Sequence, residues 1–234
     1  MGLAAKLLLV CSPLAYAALK APSAPLRFAL GYSAGVGFVI AGAASLDIPW
    51  LLGKRRRDGS VPLWSYLLFS SFHMGFRVYV KVRRLVSEEP VYTKVTPEWY
   101  VGGWPFAPGD VPAGKPAVVD CTCELQRTAV VADLPYLNLP AFDSRVPKLE
   151  YFDEGVRWSL EQQQAGRPVF VHCAFGHGRS VALLCACLVA QGAVSSWQEA
   201  FALIKSVRPH VRMNRIQRET LMRWCERYSQ NAKT

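Results

Sequence analysis

Charged residues are scarce at the start of the chain. Before the basic run at 54–57, the only ones are Lys6, Lys20, Arg27 and Asp47. A soluble domain normally carries charge on about a quarter of its residues, so this scarcity argues against an ordinary soluble surface for the N-terminal part. The whole chain is 51% hydrophobic, and the apolar excess therefore lies at its N-terminus.

Acidic residues are also few, with 17 Asp and Glu against 27 Lys and Arg, which gives a net charge of +10. Such a surplus suits an anionic partner. The basic clusters at 54–57 and 77–84 flank apolar stretches, which favours a membrane surface, although solvated flanks or topology signals would produce the same pattern. No nucleic-acid motif is present and no aromatic residues alternate with the basic ones, which argues against nucleic acid as the partner.

A disulfide framework is missing. The seven cysteines are an odd number, and their spacings repeat no known scaffold. Cys121 and Cys123, like Cys185 and Cys187, lie inside apolar runs and are too closely spaced for zinc, so buried thiols are expected. A reducing compartment is therefore expected for residues 85–234.

Residues 1–84 are predicted to form a membrane-associated region with basic flanks. The apolar stretch at 7–18 is short for a span, whereas 28–46 has 19 uncharged residues and is the best transmembrane candidate. A third stretch, 61–76, falls about one turn short of a span. A helical hairpin, or one span with an interfacial helix, is expected, with the catalytic part in the cytosol. A cleaved signal peptide is the alternative, and the number of spans stays open.

Residues 85–234 have the composition and hydrophobic patterning of one soluble domain, which is expected to be the catalytic one. Apolar runs bounded by turns alternate with amphipathic segments, which predicts an α/β fold with a central mixed, mostly parallel sheet flanked by helices. The predicted strands are 91–95, 99–105, 116–124, 134–143 and 168–173, and the predicted helices are 149–166, 180–192, 195–206 and 213–229.

The stretch "VHCAFGHGRS" at 171–180 carries the strongest chemical signal. It joins a buried strand to an apolar helix, where backbone amides and the helix dipole favour an anion. Gly176 and Gly178 allow the amides to curl around that anion. Cys173 at this position would be a thiolate nucleophile, Arg179 would grip phosphoryl oxygens, and Ser180 would donate a hydrogen bond to the departing sulfur.

Phosphoryl transfer to a cysteine also needs a general acid. Asp143 follows the apolar run "LPAF" and opens a loop, which makes it the best candidate. Asp153 and Glu154 are rivals, but both fall within an amphipathic helix. His172 is expected to orient the loop from behind through hydrogen bonds of its ring rather than to act as a base.

These motifs resemble the cysteine-dependent protein tyrosine phosphatase superfamily, and in particular its dual-specificity branch. "VHCAFGHGRS" is similar to the signature H-C-x5-R-S/T, and "YVGGWP", "AFD" and "EAFALIKSVRP" occur in the expected order over about 91–228. The resemblance implies no metal or organic cofactor. It implies a substrate-binding loop made of Ala174, Phe175, Gly176, His177 and Gly178. His177 either contacts a phosphate or turns to solvent.

The expected function is a membrane-anchored phosphomonoesterase that dephosphorylates phosphotyrosine, phosphoserine and phosphothreonine proteins through a cysteinyl-phosphate. A phospholipid or phosphoinositide phosphatase at the bilayer surface is the alternative, and a catalytically silent phosphate-binding adaptor is a lesser one. The partners are thus a membrane and a phosphorylated protein or lipid.

Overall fold

The computed structural model describes residues 2–231. Its N-terminal part is a hairpin of two helices, α1 (Leu3–Lys20) and α2 (Ala24–Ser45). Small side chains let the two helices approach closely, since a Cβ on Gly37 would overlap the sulfur of Cys11. Most of the outer surface of the hairpin is apolar and exposed. By length and composition both helices could cross a membrane.

The third apolar stretch is not one long helix. It forms α3 (Leu63–Leu68) and α4 (Ser70–Leu85). Helix α4 buries Phe72, Phe76 and Val80 against the rest of the protein, a spacing of four residues that places them on one helix face. These residues share an apolar cluster with side chains of α2 and of the catalytic part.

The sheet confirms the mixed, mostly parallel arrangement. Its five strands lie in the order β1-β2-β5-β3-β4, and only the β1–β2 pair is antiparallel. The strands are β1 (Tyr92–Lys94), β2 (Trp99–Gly102), β3 (Ala117–Asp120), β4 (Tyr136–Asn138) and β5 (Val169–His172). The predicted strand at 134–143 is shorter in the structure, Tyr136–Asn138, because residues 139–142 beyond it leave the edge of the sheet and are buried in the core.

Helices cover the sheet as expected. They are α5 (Leu149–Gln164), α6 (Arg179–Ala190), α7 (Trp197–Val207) and α8 (Arg215–Asn231). Helix α6 is buried along almost its whole length and packs against α5, α7, α8 and two strands. An apolar helix of this kind belongs at the centre of a fold, and it holds the loop before it on a rigid base.

Part of the basic run at 54–57 is tied to the catalytic part of the molecule. The ammonium group of Lys54 is fully buried and donates to Asp120 Oδ2 at 2.6 Å and to the carbonyl of Thr122 at 3.0 Å. Arg56 pairs with Glu154. Lys54 is therefore buried within the fold, and Arg56 makes a partly exposed contact with the catalytic part, so neither is a free flank of a membrane segment.

Candidate active site

The loop 173–178 connects the end of β5 to the start of α6. Its first residue is fixed to the neighbouring strand, because the Cys173 N–H donates to the carbonyl of Gly102 at 3.2 Å. Strand β5 lies between β2 and β3, so the loop sits at the carboxyl edge of the parallel strands, where α/β proteins bind their ligands.

One glycine in this loop is required by its geometry. Gly176 has φ +72°, and a Cβ there would lie 2.5 Å from the carbonyl carbon of Gly102. A Cβ on Gly178 would lie 2.7 Å from the side-chain amide of Gln217. The loop can curl tightly because Gly176 lacks a side chain, whereas at Gly178 the flexible end of Gln217 could move aside.

The Cys173 sulfur accepts two hydrogen bonds, from the Gly176 N–H at 3.3 Å and from the Ser180 hydroxyl at 3.4 Å. Its residue is only 4% exposed. Burial alone would raise the pKa of the Cys173 thiol, but the Arg179 charge and the hydrogen bonds from Ser180 outweigh it and hold the pKa below its ordinary value. The site is therefore built for a thiolate.

Arg179 is buried and held by a carboxylate that the sequence reading missed. Its two terminal nitrogens donate to the two oxygens of Glu124, at 3.0 and 2.7 Å, and one also donates to the Ala141 carbonyl at 2.7 Å. Burial lowers the pKa of Arg179, but Glu124 and Cys173 raise it well above its usual range. The sequence did contain one indication of this role: Glu124 closely follows β3, which is the parallel neighbour of β5, so both strands end at the same edge of the sheet.

Asp143 reaches the same site from the loop after β4. The Lys6 ammonium of α1 donates to Asp143 Oδ2 at 3.0 Å. Burial alone would raise the pKa of Asp143. The charges of Arg179 and Lys6 and the hydrogen bonds from Lys6 and the Ser144 N–H outweigh burial and hold this pKa below its ordinary value.

A cavity of about 690 Å³ opens over Cys173, Arg179 and Asp143. Its rim is strongly basic, and Asp143 is the only carboxylate among the described residues that line it. The cations that line it besides Arg179 are Lys6, Arg83, Arg212 and Arg215. An arrangement of this kind attracts a multiply charged anion.

The two histidines of the motif face different partners. Buried His172 lies with Nδ1 3.4 Å from the Cys173 carbonyl and Nε2 3.9 Å from Asp120. Burial lowers the pKa of His172 despite the opposing charge of Asp120. The ring of His177 is not turned to solvent, because its Nε2 is hydrogen-bonded to Glu89.

Arg208 supports the loop from outside the cavity. Its guanidinium group donates to the carbonyls of Phe175 at 3.0 Å and Gly176 at 3.3 Å. These bonds turn the carbonyls outward, which leaves the loop amides free to face an anion.

Ala174 and Phe175, two residues of the predicted substrate-binding loop, also line the cavity.

The rival carboxylates lie elsewhere. Asp153 accepts from the indole of Trp224 at 2.8 Å and pairs with Arg227, while Glu154 pairs with Arg56. Within residues 2–231, no group of three or more His, Cys, Asp and Glu side chains is placed to hold a metal ion.

Residues 113–227 match the family model described as dual specificity phosphatase, catalytic domain. This part of the chain is a dual-specificity phosphatase domain. The fold agrees, since PTPMT1 in complex with PI(5)P superposes with a TM-score of 0.53 at 24% identity, over 61% of this chain and 99% of that one. Tk-PTP in its active form gives a TM-score of 0.53 at 26% identity, over 59% and 98%.

Two curated proteins are similar to part of this chain. The mouse (Mus musculus) phosphatidylglycerophosphatase and protein-tyrosine phosphatase 1 is 31% identical over 102 residues, which are 42% of this chain and 51% of that protein. Its rat (Rattus norvegicus) counterpart is 35% identical over 78 residues, 32% of this chain and 39% of that protein. The chain thus spans about half or less of the curated relatives it matches.

Proposed function

We propose that the protein is a cysteine-dependent phosphomonoesterase that hydrolyses a phospholipid monoester at a bilayer surface. One observation carries the choice of a lipid. The hairpin that exposes apolar side chains also places Gly2 and Lys6 in the wall of the cavity that contains Cys173. A bilayer around the hairpin would therefore hold a lipid headgroup close to the nucleophile.

In the first half of the reaction, the Cys173 thiolate attacks phosphorus and an S–P bond forms while the P–O bond to the leaving group breaks. The amides of loop 173–178 and the guanidinium of Arg179 stabilise the phosphoryl oxygens. Asp143 in its protonated form gives its proton to the leaving oxygen.

In the second half, Asp143 as a carboxylate takes a proton from water, and the resulting hydroxide oxygen attacks phosphorus. The S–P bond breaks, inorganic phosphate leaves and Cys173 returns as a thiolate. The Ser180 hydroxyl lies 3.4 Å from the sulfur and donates to the negative charge that returns to it.

Membrane attachment in a reducing compartment is the proposed setting, with the catalytic domain on the cytosolic side. Helices α1 and α2 have the length and composition of spans. All seven cysteines lie within the described residues and all are free. That state fits a reducing environment.

A phosphoprotein substrate is the second candidate. It is favoured by the phosphatase domain itself and by the mouse relative, whose name includes both a phosphatidylglycerophosphatase and a protein-tyrosine phosphatase. The lipid is preferred because the cavity wall is built partly from the apolar hairpin.

The test is hydrolysis by the full chain in lipid vesicles. An aryl phosphate, phosphotyrosyl and phosphothreonyl peptides, phosphatidic acid and phosphatidylglycerophosphate would be compared in parallel. Cys173→Ser should abolish phosphate release and Asp143→Ala should depress it. Cys225→Ser is the matched control, since this half-buried thiol lies outside the cavity.

Faster turnover of the lipids than of the peptides would support the proposal. Faster turnover of the peptides would favour a phosphoprotein substrate. A folded chain that binds phosphate without releasing any from the substrates would instead be a phosphate-binding adaptor.

A further inference from the structure

Helix α1 reaches into the active site although it lies outside the matched phosphatase domain. The Lys6 ammonium is 3.0 Å from Asp143 Oδ2, and their side chains are 43% and 31% exposed. Gly2 lies against the side chain of Ser144. The general-acid candidate is therefore contacted by the hairpin as well as by its own domain.

The rest of the Asp143 loop is held from two sides. On one side, Arg145 Nη2 donates to the carbonyl of Ser45 at the end of α2, at 2.7 Å. On the other, the Asn214 amide donates to the Ser144 carbonyl at 2.9 Å and the Gln217 amide to the Arg145 carbonyl at 3.1 Å. The loop backbone is fixed, so the side-chain partner of Asp143 can change without a large loop movement.

The pairing with Lys6 conflicts with the acid role of Asp143. A carboxylate bound to an ammonium group is ionised, whereas the first chemical step needs its proton. Arg179 of α6 and Lys6 of α1 are the cations that act on Asp143. The Cys173 thiolate and the cations Arg83, Arg212 and Arg215 line the same cavity. Because no other described carboxylate lines the cavity, a substrate bound there can offer Lys6 a second anion without competition from another carboxylate of the protein.

We propose that Lys6 is a specificity-determining residue that exchanges Asp143 for a second anionic group of the substrate, distinct from the scissile phosphate. The exchange leaves Asp143 free to take up a proton. The proposal rests on the proposed phosphomonoesterase activity and deepens it. It selects phospholipid monoesters whose headgroup carries a second phosphate, and it disfavours substrates with a single phosphate, for which Lys6 stays on Asp143.

The test compares three variants of the full chain in detergent micelles. Phosphatidylglycerophosphate carries a phosphodiester besides its monoester, while phosphatidic acid and an aryl phosphate carry the monoester alone. Lys6→Gln should lower kcat/KM for the first substrate about tenfold or more, the scale of a lost hydrogen bond to a charged group. For the other two, kcat/KM should be unchanged or rise about twofold to fivefold as a partly exposed ion pair is removed.

Two controls accompany this comparison. Lys6→Arg keeps the charge and should retain the preference for the substrate with two phosphates. Lys20→Gln removes a positive charge at the opposite end of α1, outside the cavity, and should leave kcat/KM unchanged for all three substrates.

The pH dependence of kcat/KM separates this role from a merely structural one, because a structural contact would leave the alkaline limb of the profile unchanged. Loss of Lys6 removes a cation that lowers the pKa of Asp143. The acid then stays protonated to higher pH, so the alkaline limb of kcat/KM for the aryl phosphate should shift upward in Lys6→Gln and not in Lys20→Gln.

Equal loss on all substrates with an unmoved alkaline limb would overturn the role of Lys6 while leaving the proposed function intact. Absence of any hydrolysis sensitive to Cys173→Ser would overturn the proposed function, and the role of Lys6 with it.

Discussion

Arg179 is bound on both terminal nitrogens before any substrate arrives. Glu124 accepts from each of them, and both side chains are buried. The guanidinium plane is thus oriented in advance, which reduces the ordering that a bound phosphoryl group would otherwise have to impose.

Glu124→Gln should therefore damage both stability and turnover. It leaves the buried guanidinium of Arg179 without the carboxylate that binds it, which costs about 3–5 kcal/mol of unfolding free energy. Because Arg179 is then displaced, kcat/KM for an aryl phosphate should fall on the order of a hundredfold. Denaturant unfolding and steady-state kinetics measure the two effects. Glu154→Gln, which breaks a partly exposed pair with Arg56, should cost about 1 kcal/mol or less. Equal effects of the two variants would contradict this account.

Cys173 should react as a thiolate at neutral pH. Alkylation by iodoacetamide, located by mass spectrometry, should label Cys173 first and spare Cys187, whose pKa burial raises to about 12. Ser180→Ala removes a hydrogen bond that lowers the pKa of Cys173, so the pH midpoint of its alkylation should rise. An unchanged midpoint would show that the hydroxyl does not stabilise the thiolate.

At the scale of elements, the loop between β5 and α6 depends on the backbone of β2. Gly176 lies directly against Gly102, and the Cys173 N–H donates to the same residue. The nucleophile loop is thus held by contact between two neighbouring parallel strands and the turn above them.

Gly176→Ala tests this contact, with Gly192→Ala as its matched control. Both glycines have a left-handed backbone, φ +72° and +75°, but nothing lies within 4 Å of a Cβ at Gly192. Each variant should lose about 1–2 kcal/mol of unfolding free energy from its backbone conformation. Only Gly176→Ala has to displace the loop, and it should also lower aryl phosphate turnover about a hundredfold. Similar turnover in both variants would show that the approach to Gly102 is not needed.

At the scale of the whole molecule, a buried ion pair joins the N-terminal region, residues 1–84, to the sheet. Lys54 contacts Asp120, which also accepts from the Tyr136 hydroxyl at 2.6 Å and the Thr122 N–H at 2.8 Å. Burial alone would raise the pKa of Asp120, but the charges of Lys54 and His172 and the hydrogen bonds from Lys54 and Tyr136 hold it at about 2.

The pH dependence of this pair has a definite sign. An unfolded Asp titrates near pH 4 and folded Asp120 near 2, so the stabilisation is present above about pH 4 and is lost as the pH falls towards 2. Lys54→Met leaves a buried carboxylate unpaired and should cost about 3–5 kcal/mol at pH 7.

The deficit of Lys54→Met should shrink on acidification, because protonation then neutralises the unpaired carboxyl group. Unfolding curves measured between pH 4 and 7 follow it. Arg57→Met, an exposed change in the same basic run, should have little effect at any pH. A deficit independent of pH would indicate lost packing rather than lost charge.

The sequence by itself determined the elements and the reactive loop. Apolar periodicity located the strands and helices of the catalytic part because burial imposes a period of 2 or 3.6 on neighbouring residues. The spacing from Cys173 to Ser180 identified the phosphate loop, since its residues are local in sequence. The roles predicted for these residues and for Asp143 stay predictions until the variants are measured.

Only the tertiary structure decided which distant groups meet at the site. Glu124 and Lys6 are separated from their partners by 55 and 137 positions, and no local pattern encodes contacts of that kind. The same holds for Lys54, which looked like a membrane flank and is buried 66 positions from Asp120. Charge composition specifies how many cations the chain has, whereas packing decides which of them are desolvated and paired.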